Sequence, residues 1–392
     1  MVKNPISVYV NFPFCDGCSY CTLDEHSSVF SRRKTYIQAI VNEIKSKAEL
    51  AKGKVVSSVF FGGQGTCIML SSQIKVILDQ LRKTFILDKN CEITIEVLPS
   101  NATSFDLEEF KEIGITRISL AMLSMDDIVL GVLGKSYTVD DLRLTLDALR
   151  DFDFKVNIDL TVGIPVPKNV SQMNLRRSPE VELSNLLVNY PFIGHVSIYE
   201  IEIEDGTDLA RNIDYEQVMM QSHDEFIDDI VLIHGVLEEF GFKQYDSHHW
   251  AIEGQDCIYN RSHVEIDNEC FAFGVAASGL VNNIRYNNFD ELDLYLLSPD
   301  KVEQSTPRTT LDKVNEAITY QLGTPNGVDL AALRNLGVDI MVLRQKEITQ
   351  LRALKLIKAT KNTLCMTKAG ALLVNYALSE LLFDEADLAQ TN

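Results

Sequence analysis

Three cysteines near the start of the chain could do chemistry because their spacing is close and regular. Cys15, Cys18 and Cys21 follow an apolar run at residues 8–12 that predicts a first strand. Three thiolates can hold three irons of a four-iron cluster and leave the fourth iron open, as a reactive cluster requires. The same thiolates and His26 would also make a tetrahedral zinc set. The spacing alone leaves a cluster, a zinc ion and free thiols open.

The length and composition indicate a globular chain of more than one domain. Its 392 residues exceed the usual size of a single compact domain. An apolar content of 46% and a charged content of 23% are ordinary for a folded protein. The formal net charge of -20 argues against nucleic acid as the main partner, because phosphate binding requires clustered Lys and Arg.

The other cysteines and the hydropathy pattern bear on where the protein works. Five further cysteines show no spacing pattern: Cys67, Cys91, Cys257, Cys270 and Cys365. Without a disulfide framework or a signal peptide, the sequence predicts a reducing cytoplasm. The most apolar run, residues 369–383, is interrupted by Asn375 and Glu380 and predicts an amphipathic helix. We therefore expect a soluble cytoplasmic protein without membrane insertion.

The first half of the chain alternates apolar strands with amphipathic helices. The predicted strands cover residues 8–12, 55–61, 92–97, 117–122, 155–160 and 195–201. The predicted helices cover residues 36–44, 72–81, 105–113, 138–152 and 180–188. Repeated strand–helix units joined by short loops predict parallel strands with right-handed crossovers. Six such units favour an α/β fold with a partial (β/α)6 barrel over a complete eightfold one.

The residues of interest gather at one edge of this predicted sheet. The cysteine loop follows the first strand, residues 62–66 follow the second, and Glu96 and Asp159 lie near the ends of the third and fifth. In parallel sheets chemistry gathers at the carboxyl ends of the strands. A carboxylate inside an apolar strand is costly without a partner. We therefore expect one site there, with Arg117 as an alternative salt-bridge partner for a carboxylate.

The pattern changes after about residue 211. A long helix is predicted over residues 215–240, a polar irregular stretch over 244–268, and a hairpin over 356–366 among C-terminal helices. Helices followed by a small hairpin are typical of a winged helix, for which an acidic chain favours a packing or lid role over DNA binding. The predicted domains are a partial barrel over residues 1–210, a substrate or lid region over 211–305, and a mostly helical, winged-helix-like domain over 306–392.

Taken in order, these segments resemble the radical S-adenosylmethionine (SAM) family typified by oxygen-independent coproporphyrinogen III oxidase. That family also includes heme chaperones and methyltransferases. Residues 9–21 resemble its Tyr-x-His-x-Pro-Phe-Cys opening, and residues 60–63 resemble its glycine motif. Further matching stretches are residues 95–97, 117–120, 157–165, 197–207, 273–274, 285–288 and 327–330. The resemblance covers more than three hundred residues.

The resemblance implies cofactors and a reaction. Cys15, Cys18 and Cys21 would bind a [4Fe–4S] cluster, and its open iron would bind SAM, with one or two SAM molecules present. The implied SAM-site residues are Tyr9, Gly62, Gly63, Glu96, Arg117 and Asp159. The implied chemistry is one-electron cleavage of the SAM sulfonium to a 5′-deoxyadenosyl radical, while the protein supplies orientation. An electron donor such as flavodoxin or ferredoxin and a small-molecule substrate are implied as partners.

The sequence departs from the family pattern in its loops. Only Asp16 and Gly17 separate the first two cysteines, where the family has three residues. The Gly-Gly-Gly-Thr-Pro run appears as residues 62–67, one residue longer and without proline. The His-Asn-x-x-Tyr-Trp motif of heme chaperones is replaced by residues 259–264.

Three functions therefore stay open. The first is modification of a small molecule, with methyl or methylene transfer to an unsaturated carbon drawn from the family's range. The second is a tetrapyrrole role, either coproporphyrinogen oxidation and decarboxylation or heme delivery; an acidic porphyrinogen would favour a basic pocket. The third is a non-enzymatic paralogue with a zinc-bound or empty cysteine site. Four unusual residues would line a substrate pocket or lie in surface loops: His248, His249, Trp250 and His263.

Overall fold

A computed structural model describes residues 5–12, 19–20, 29–63, 69–99, 102–169 and 178–389. The predicted cluster ligands Cys15, Cys18 and Cys21 lie outside the described residues, as does His26. The glycine-rich loop that follows the second strand is described only as far as Gly63.

The described strands and helices have the following bounds. The strands are β1 (Ile6–Asn11), β2 (Val55–Gly62), β3 (Ile86–Val97), β4 (Arg117–Leu123), β5 (Lys155–Val162), β6 (Val166–Pro167), β7 (Ile193–Glu200), β8 (Val218–Met219), β9 (Lys243–Gln244), β10 (His249–Ala251), β11 (Cys270–Phe273), β12 (Ser278–Val281), β13 (Ile284–Asn287), β14 (Gln304–Pro307), β15 (Val328–Asp329), β16 (Ile357–Ala359) and β17 (Thr363–Met366). The helices are α1 (Val29–Ser46), α2 (Ala48–Ala51), α3 (Ser71–Thr84), α4 (Ser104–Ile113), α5 (Asp127–Val132), α6 (Val139–Leu149), α7 (Pro179–Asn189), α8 (Asp208–Asp214), α9 (His223–Glu239), α10 (Ile258–Ser262), α11 (Leu292–Leu297), α12 (Thr310–Gln321), α13 (Leu330–Asn335), α14 (Ile340–Leu343), α15 (Gln345–Ala353), α16 (Lys368–Ala371), α17 (Val374–Leu381) and α18 (Glu385–Ala389).

Six parallel strands form the centre of a twelve-stranded sheet. They lie in the order β1, β2, β3, β4, β5 and β7, and each pairs in parallel with the next. The sheet ends at β14 on one side and at β9 on the other, so the described strands form an open sheet and not a closed barrel. The predicted α/β fold with six strand–helix units is confirmed.

One face of these strands is apolar and packs against the helices. Phe61, Ile95 and Ile118 lie side by side in register on β2, β3 and β4, and all three are fully buried. Burying adjacent apolar side chains in this way supplies most of the driving force for folding. The helix predicted at residues 105–113 is α4, which begins after the Thr103 cap and ends at Gly114 in a left-handed conformation.

Two predictions for the middle of the chain were wrong. The long helix predicted over residues 215–240 begins only at His223, because Ser222 caps α9 through the N–H of Glu225. The stretch expected to be irregular contains β10, which pairs antiparallel with β7 and places His249 opposite Ser197. A three-residue strand carries too little alternation for a sequence pattern to reveal it.

The C-terminal region adds strands to the sheet and a second apolar core. Strand β11 pairs in parallel with β1, and β12, β13 and β14 extend the sheet from it as antiparallel strands. The predicted C-terminal hairpin is confirmed as β16 and β17. Strand β15 pairs with β17 on its other side and completes a three-stranded sheet. Buried apolar side chains between Val314 and Phe383 form a core of their own. The domain boundaries stay a prediction.

Candidate functional site

A row of polar side chains crosses the sheet on the face opposite the apolar row. Glu96, Ser119, Asn157 and His195 are register partners on β3, β4, β5 and β7. Asp159 lies two residues beyond Asn157 on β5, and successive side chains on the same face of a strand are two residues apart. These residues therefore face one interior, with Glu96 near the carboxyl end of β3 and Asp159 near the middle of β5.

Two cavities occupy that interior. The larger one has a volume of about 740 Å³ and is lined by Glu96 and Asp159 together with Gly63 and Tyr199. The smaller one has a volume of about 260 Å³ and shares Glu96, Asp159 and Tyr199 with the larger cavity. The structure thus brings together three of the residues that the sequence assigned to the cofactor site: Gly63, Glu96 and Asp159.

Gly62 and Gly63 are enclosed by Tyr9 and Phe12 on one side, and Gly63 is hydrogen-bonded to Glu96. The N–H of Gly63 donates to Oε2 of Glu96 at 2.7 Å. Gly63 has φ +91°, and a Cβ there would lie 2.6 Å from the carbonyl oxygen of Phe12. A Cβ on Gly62 would lie 2.6 Å from the ring of Tyr9. Both positions therefore require glycine, because Tyr9 of β1 and Phe12, which follows β1, approach so closely.

Both carboxyl groups hold protons more tightly than usual. The pKa of Glu96 is raised to about 8, by burial first and by the Asp159 charge second, while the hydrogen bond from the Gly63 N–H opposes both effects. Burial also raises the pKa of Asp159, against hydrogen bonds from Asn157, Ser197 and Ser119. A cation or a hydroxyl donor entering the cavity would favour the ionised forms of both groups. Such perturbed carboxyl pairs in a cavity are typical of functional sites.

A chain of hydrogen bonds from neighbouring strands orients Asp159. The Asn157 amide donates to Oδ1 of Asp159 at 2.8 Å, and the Ser119 hydroxyl donates to Oδ2 at 3.2 Å. His195 Nδ1 lies 2.5 Å from the Asn157 Oδ1, and its Nε2 lies 2.7 Å from the Tyr245 hydroxyl. Because Asn157 uses its NH₂ on Asp159, its oxygen accepts from His195 Nδ1–H, and His195 Nε2 accepts from Tyr245. Burial lowers the pKa of His195 well below its usual value, which fits this neutral form.

Arg117 lies at the amino end of β4 and pairs with a residue that the sequence did not assign to it. Its Nη2 lies 3.0 Å from Oε2 of Glu92 and donates to the carbonyl oxygens of Gln255 and Asp256 at 2.8 Å each. The ion pair is therefore made with Glu92 and not with Glu96 or Asp159, the partners considered from the sequence. Arg117 lines only the smaller of the two cavities. A cofactor-binding role for Arg117 stays a prediction.

Tyr9 lies in an aromatic cluster beside the glycine pair. Its ring stacks at 6.1 Å on Phe60 and at 5.9 Å on Tyr259. Its hydroxyl donates to Asn11 Oδ1 at 3.1 Å. Tyr9 therefore packs among aromatic side chains, and its role toward a cofactor stays a prediction.

Several residues of the site were not identified from the sequence. Asn157, Ser119 and His195 orient Asp159, and Tyr199 lines both cavities. One signal could have revealed them: polar residues at every second position of strands that are otherwise apolar. That alternation marks a strand with one face toward a polar interior.

The acidic side chains dominate the larger cavity. The carboxylates of Glu200, Glu202 and Glu204 line it in addition to Glu96 and Asp159. Its described basic side chains are Lys135 and His248. The described lining therefore contains more acidic than basic side chains, unlike the basic pocket that an acidic porphyrinogen would favour.

Comparison with known proteins shows which proteins the chain resembles. Residues 12–169 match the sequence profile of the Radical SAM superfamily. The chain is 22% identical over 391 residues to the heme chaperone HemW of Lactococcus lactis, covering 98% of this chain and 99% of that protein. It is 28% identical over 258 residues to the mouse mitochondrial radical S-adenosyl methionine domain-containing protein 1, and that match spans 65% of this chain and 56% of the relative.

The fold has a solved counterpart. The Escherichia coli coproporphyrinogen III oxidase HemN superposes with a TM-score of 0.76 at 19% identity, covering 97% of this chain and 90% of that one. No described helix combines the length and the apolar character needed to cross a membrane. Sequence profile, full-length similarity and fold together make the chain similar to radical SAM proteins of the HemN/HemW-like type.

Proposed function

We propose that this protein binds SAM beside an iron–sulfur cluster and serves tetrapyrrole metabolism as a heme-binding protein of the chaperone kind. The observation that carries the proposal is the acidic cavity at the carboxyl ends of the strands, built around Glu96 and Asp159. A chaperone relative that aligns over 98% of this chain supports the heme role. In this proposal the protein works in the cytoplasm and receives electrons from a flavodoxin or ferredoxin.

The described residues fit SAM. Its amino group and sulfonium are cationic and its ribose hydroxyls are donors, whereas Glu96 and Asp159 offer acceptor oxygens. Glu96 would hold the amino group, because its carboxyl group lines the cavity and the Gly63 N–H orients it. Asp159 would accept from a ribose hydroxyl, since Asn157 and Ser119 fix its orientation. When bound, the cluster on Cys15, Cys18 and Cys21 supplies one electron for cleavage of SAM.

The charge of the cavity favours heme over a coproporphyrinogen. A coproporphyrinogen carries a carboxylate on every pyrrole ring, so no edge of it can enter an acidic cavity without repulsion. Heme carries its two propionates on one edge, and these can stay in water while the opposite edge is buried. Besides Glu96 and Asp159, which we assign to SAM, three carboxyl groups line the cavity: Glu200, Glu202 and Glu204. We therefore favour heme binding over decarboxylation.

Metal analysis of anaerobically purified protein tests the cluster. About four irons per chain with matching sulfide are expected. Stoichiometric zinc without iron would contradict the proposal and favour the non-enzymatic alternative. The Cys18→Ala variant is expected to lose the iron. The Cys91→Ala variant, which removes a cysteine of β3, is expected to keep it.

Binding and cleavage of SAM are tested in the same preparation. With dithionite, the cluster-loaded protein is expected to release 5′-deoxyadenosine from SAM. The Glu96→Gln variant is expected to bind SAM at least tenfold more weakly, whereas Glu108→Gln removes an exposed carboxylate elsewhere and should not change binding. Equal SAM affinity in the two variants would contradict the assignment of Glu96.

Titration with hemin separates the heme role from modification of another small molecule. Saturable one-to-one binding is expected. Release of 5′-deoxyadenosine without hemin binding would contradict the heme role and favour the alternative of methyl or methylene transfer to a small molecule.

A further inference from the structure

Three histidines, His195, His248 and His249, lie together where β7 pairs with β10. The rings of His195 and His249 are 5.6 Å apart, and those of His248 and His249 are 6.3 Å apart. A neutral imidazole ring has one nitrogen that donates and one that accepts or binds metal. The hydrogen bonds of each ring therefore determine which of the three is available to a ligand.

Both nitrogens of His249 are engaged by protein groups. Its Nδ1 lies 2.8 Å from each carboxylate oxygen of Asp246, so this nitrogen carries a hydrogen. Its Nε2 lies 3.0 Å from the Tyr199 hydroxyl and accepts from it. His195 is engaged in the same way between Asn157 and Tyr245. Neither ring has a nitrogen left for a ligand.

His248 differs from both neighbours. Among the described residues, neither nitrogen of its ring has a hydrogen-bond partner, and its exposed ring lines the larger cavity. The residue is held in place all the same. Its backbone N–H donates to Asp246 Oδ1 at 2.9 Å, and its ring stacks on Tyr199 at 5.7 Å with an angle of 24° between the rings.

The charge state of His248 suits a metal ligand. Partial desolvation of the imidazole lowers its pKa, whereas the Asp246 carboxylate opposes this effect. The ring is therefore neutral at pH 7, which is the form that binds metal ions.

We propose that His248 is the protein ligand to the iron of a heme bound at the exposed side of the larger cavity, beside the SAM site at Glu96 and Asp159. The proposal rests on the heme role proposed above and names the residue that would carry it. In the part of the chain that the structure describes, no cluster of three or more His, Cys, Asp or Glu could hold a free metal ion. A porphyrin supplies four nitrogen ligands itself, so a single imidazole is sufficient for heme iron.

The surroundings of His248 fit this role. Tyr199 supports the face of the ring, and Asp246 fixes the backbone on both sides of it through the N–H groups of His248 and His249. Neighbours of this kind orient a metal ligand and keep its ring in position. A single protein ligand also allows release, because transfer of the heme to another protein requires one iron–nitrogen bond to break.

His263 provides a matched control. It belongs to the segment that replaces the heme-chaperone motif, but it lines a different cavity of about 340 Å³. Its ring packs at 4.7 Å against Tyr259 and at 6.2 Å against Tyr320. The two histidines therefore test two separate locations with the same substitution.

The experiment is a hemin titration of the full-length protein and of the His248→Ala and His263→Ala variants, followed by absorption spectroscopy. The wild type and His263→Ala are expected to give the spectrum of imidazole-ligated heme. His248→Ala is expected to lose that spectrum and to bind hemin at least tenfold more weakly. An unchanged His248→Ala variant, or loss confined to His263→Ala, would overturn the assignment. If the wild type binds no hemin, the proposed heme function fails together with it.

A rescue experiment excludes simple misfolding. In a His248→Gly variant, free imidazole can occupy the space left by the side chain and bind the iron. Added imidazole is expected to restore the ligated spectrum in this variant and to leave a His263→Gly variant unchanged. A folded His248→Gly variant, verified by circular dichroism, whose spectrum does not respond to imidazole would count against His248 as the ligand.

Discussion

The N–H of Gly63 donates a hydrogen bond of 2.7 Å to Oε2 of Glu96, and this bond joins the exit of β2 to the end of β3. It connects the glycine motif directly to the carboxylate that we assign to SAM. The left-handed turn at Gly63 is what aims the N–H at Glu96. The turn and the carboxylate therefore act as one unit.

The first prediction concerns that turn. Gly63→Ala should destabilise the protein by more than the cost of its left-handed conformation, which is about 1–2 kcal/mol for a residue with a Cβ. The additional cost arises because the Cβ would lie 2.6 Å from the backbone oxygen of Phe12. Urea unfolding measures the loss of free energy.

Gly53 is the matched control for this variant. It has φ +77°, and a Cβ there would have no atom within 4 Å. Gly53→Ala should therefore show the conformational cost alone. Equal losses in the two variants would mean that the approach of Phe12 to Gly63 relaxes without cost.

The second prediction concerns the pH dependence of stability. The pKa of Glu96 is raised from 4.5 in the ordinary state to about 8 in the folded protein, by burial first and by Asp159 second. The folded state then holds a proton that the unfolded state releases, so this contribution to stability is complete below pH 4.5 and is lost as the pH rises through about 8. The slope reaches at most about 1.4 kcal/mol per pH unit.

Glu96→Gln removes this titration. From pH 5 to pH 8, the free energy of unfolding of the variant should increase relative to that of the wild type, as measured by urea unfolding at each pH. For Glu108→Gln, at an exposed position, the free energy of unfolding should change with pH as it does in the wild type. If that of Glu96→Gln also changed as in the wild type, Glu96 would be ionised throughout this range.

The third prediction concerns the buried ion pair of Arg117 and Glu92. Their side chains are 1% and 3% exposed, and they hold β3, β4 and the segment before α10 together. Arg117→Met should cost about 3–5 kcal/mol of unfolding free energy, because it leaves the Glu92 charge buried with only Lys155 nearby.

An exposed ion pair calibrates that result. Arg143 and Asp140 are 56% and 85% exposed, so Arg143→Met should cost less than about 1 kcal/mol. A double variant, Arg117→Met with Glu92→Met, should recover part of the loss because no charge is left unpaired. A loss at Arg117 no larger than that at Arg143 would show that water reaches the buried pair.

The fourth prediction concerns the protonation of His249. Its hydrogen is expected on Nδ1, facing Asp246, with Nε2 accepting from Tyr199. Nitrogen-15 NMR of the histidine rings distinguishes the two tautomers directly. Tyr199→Phe should shift the Nε2 resonance and leave Nδ1 protonated, whereas Asp246→Asn should change both. A wild-type ring with its hydrogen on Nε2 would contradict the arrangement.

The local sequence pattern determined the repeated units of the fold. Apolar residues at alternating and at helical spacing predicted six strands and the helices between them, and the structure confirms these elements. Thr103 and Gly114 likewise determine the ends of α4, because caps act on the nearest turn of a helix. The order of strands also implied that Glu96 and Asp159 lie at the same edge of the sheet.

The tertiary structure decided which distant residues meet. Arg117 pairs with Glu92, twenty-five positions earlier in the chain, and β11 joins β1 although more than two hundred and fifty residues separate them. His248 reaches the larger cavity because the short strand β10, which follows it directly, pairs with β7. No local pattern encodes such partners, because their choice depends on how whole elements pack and on which buried charges must be neutralised.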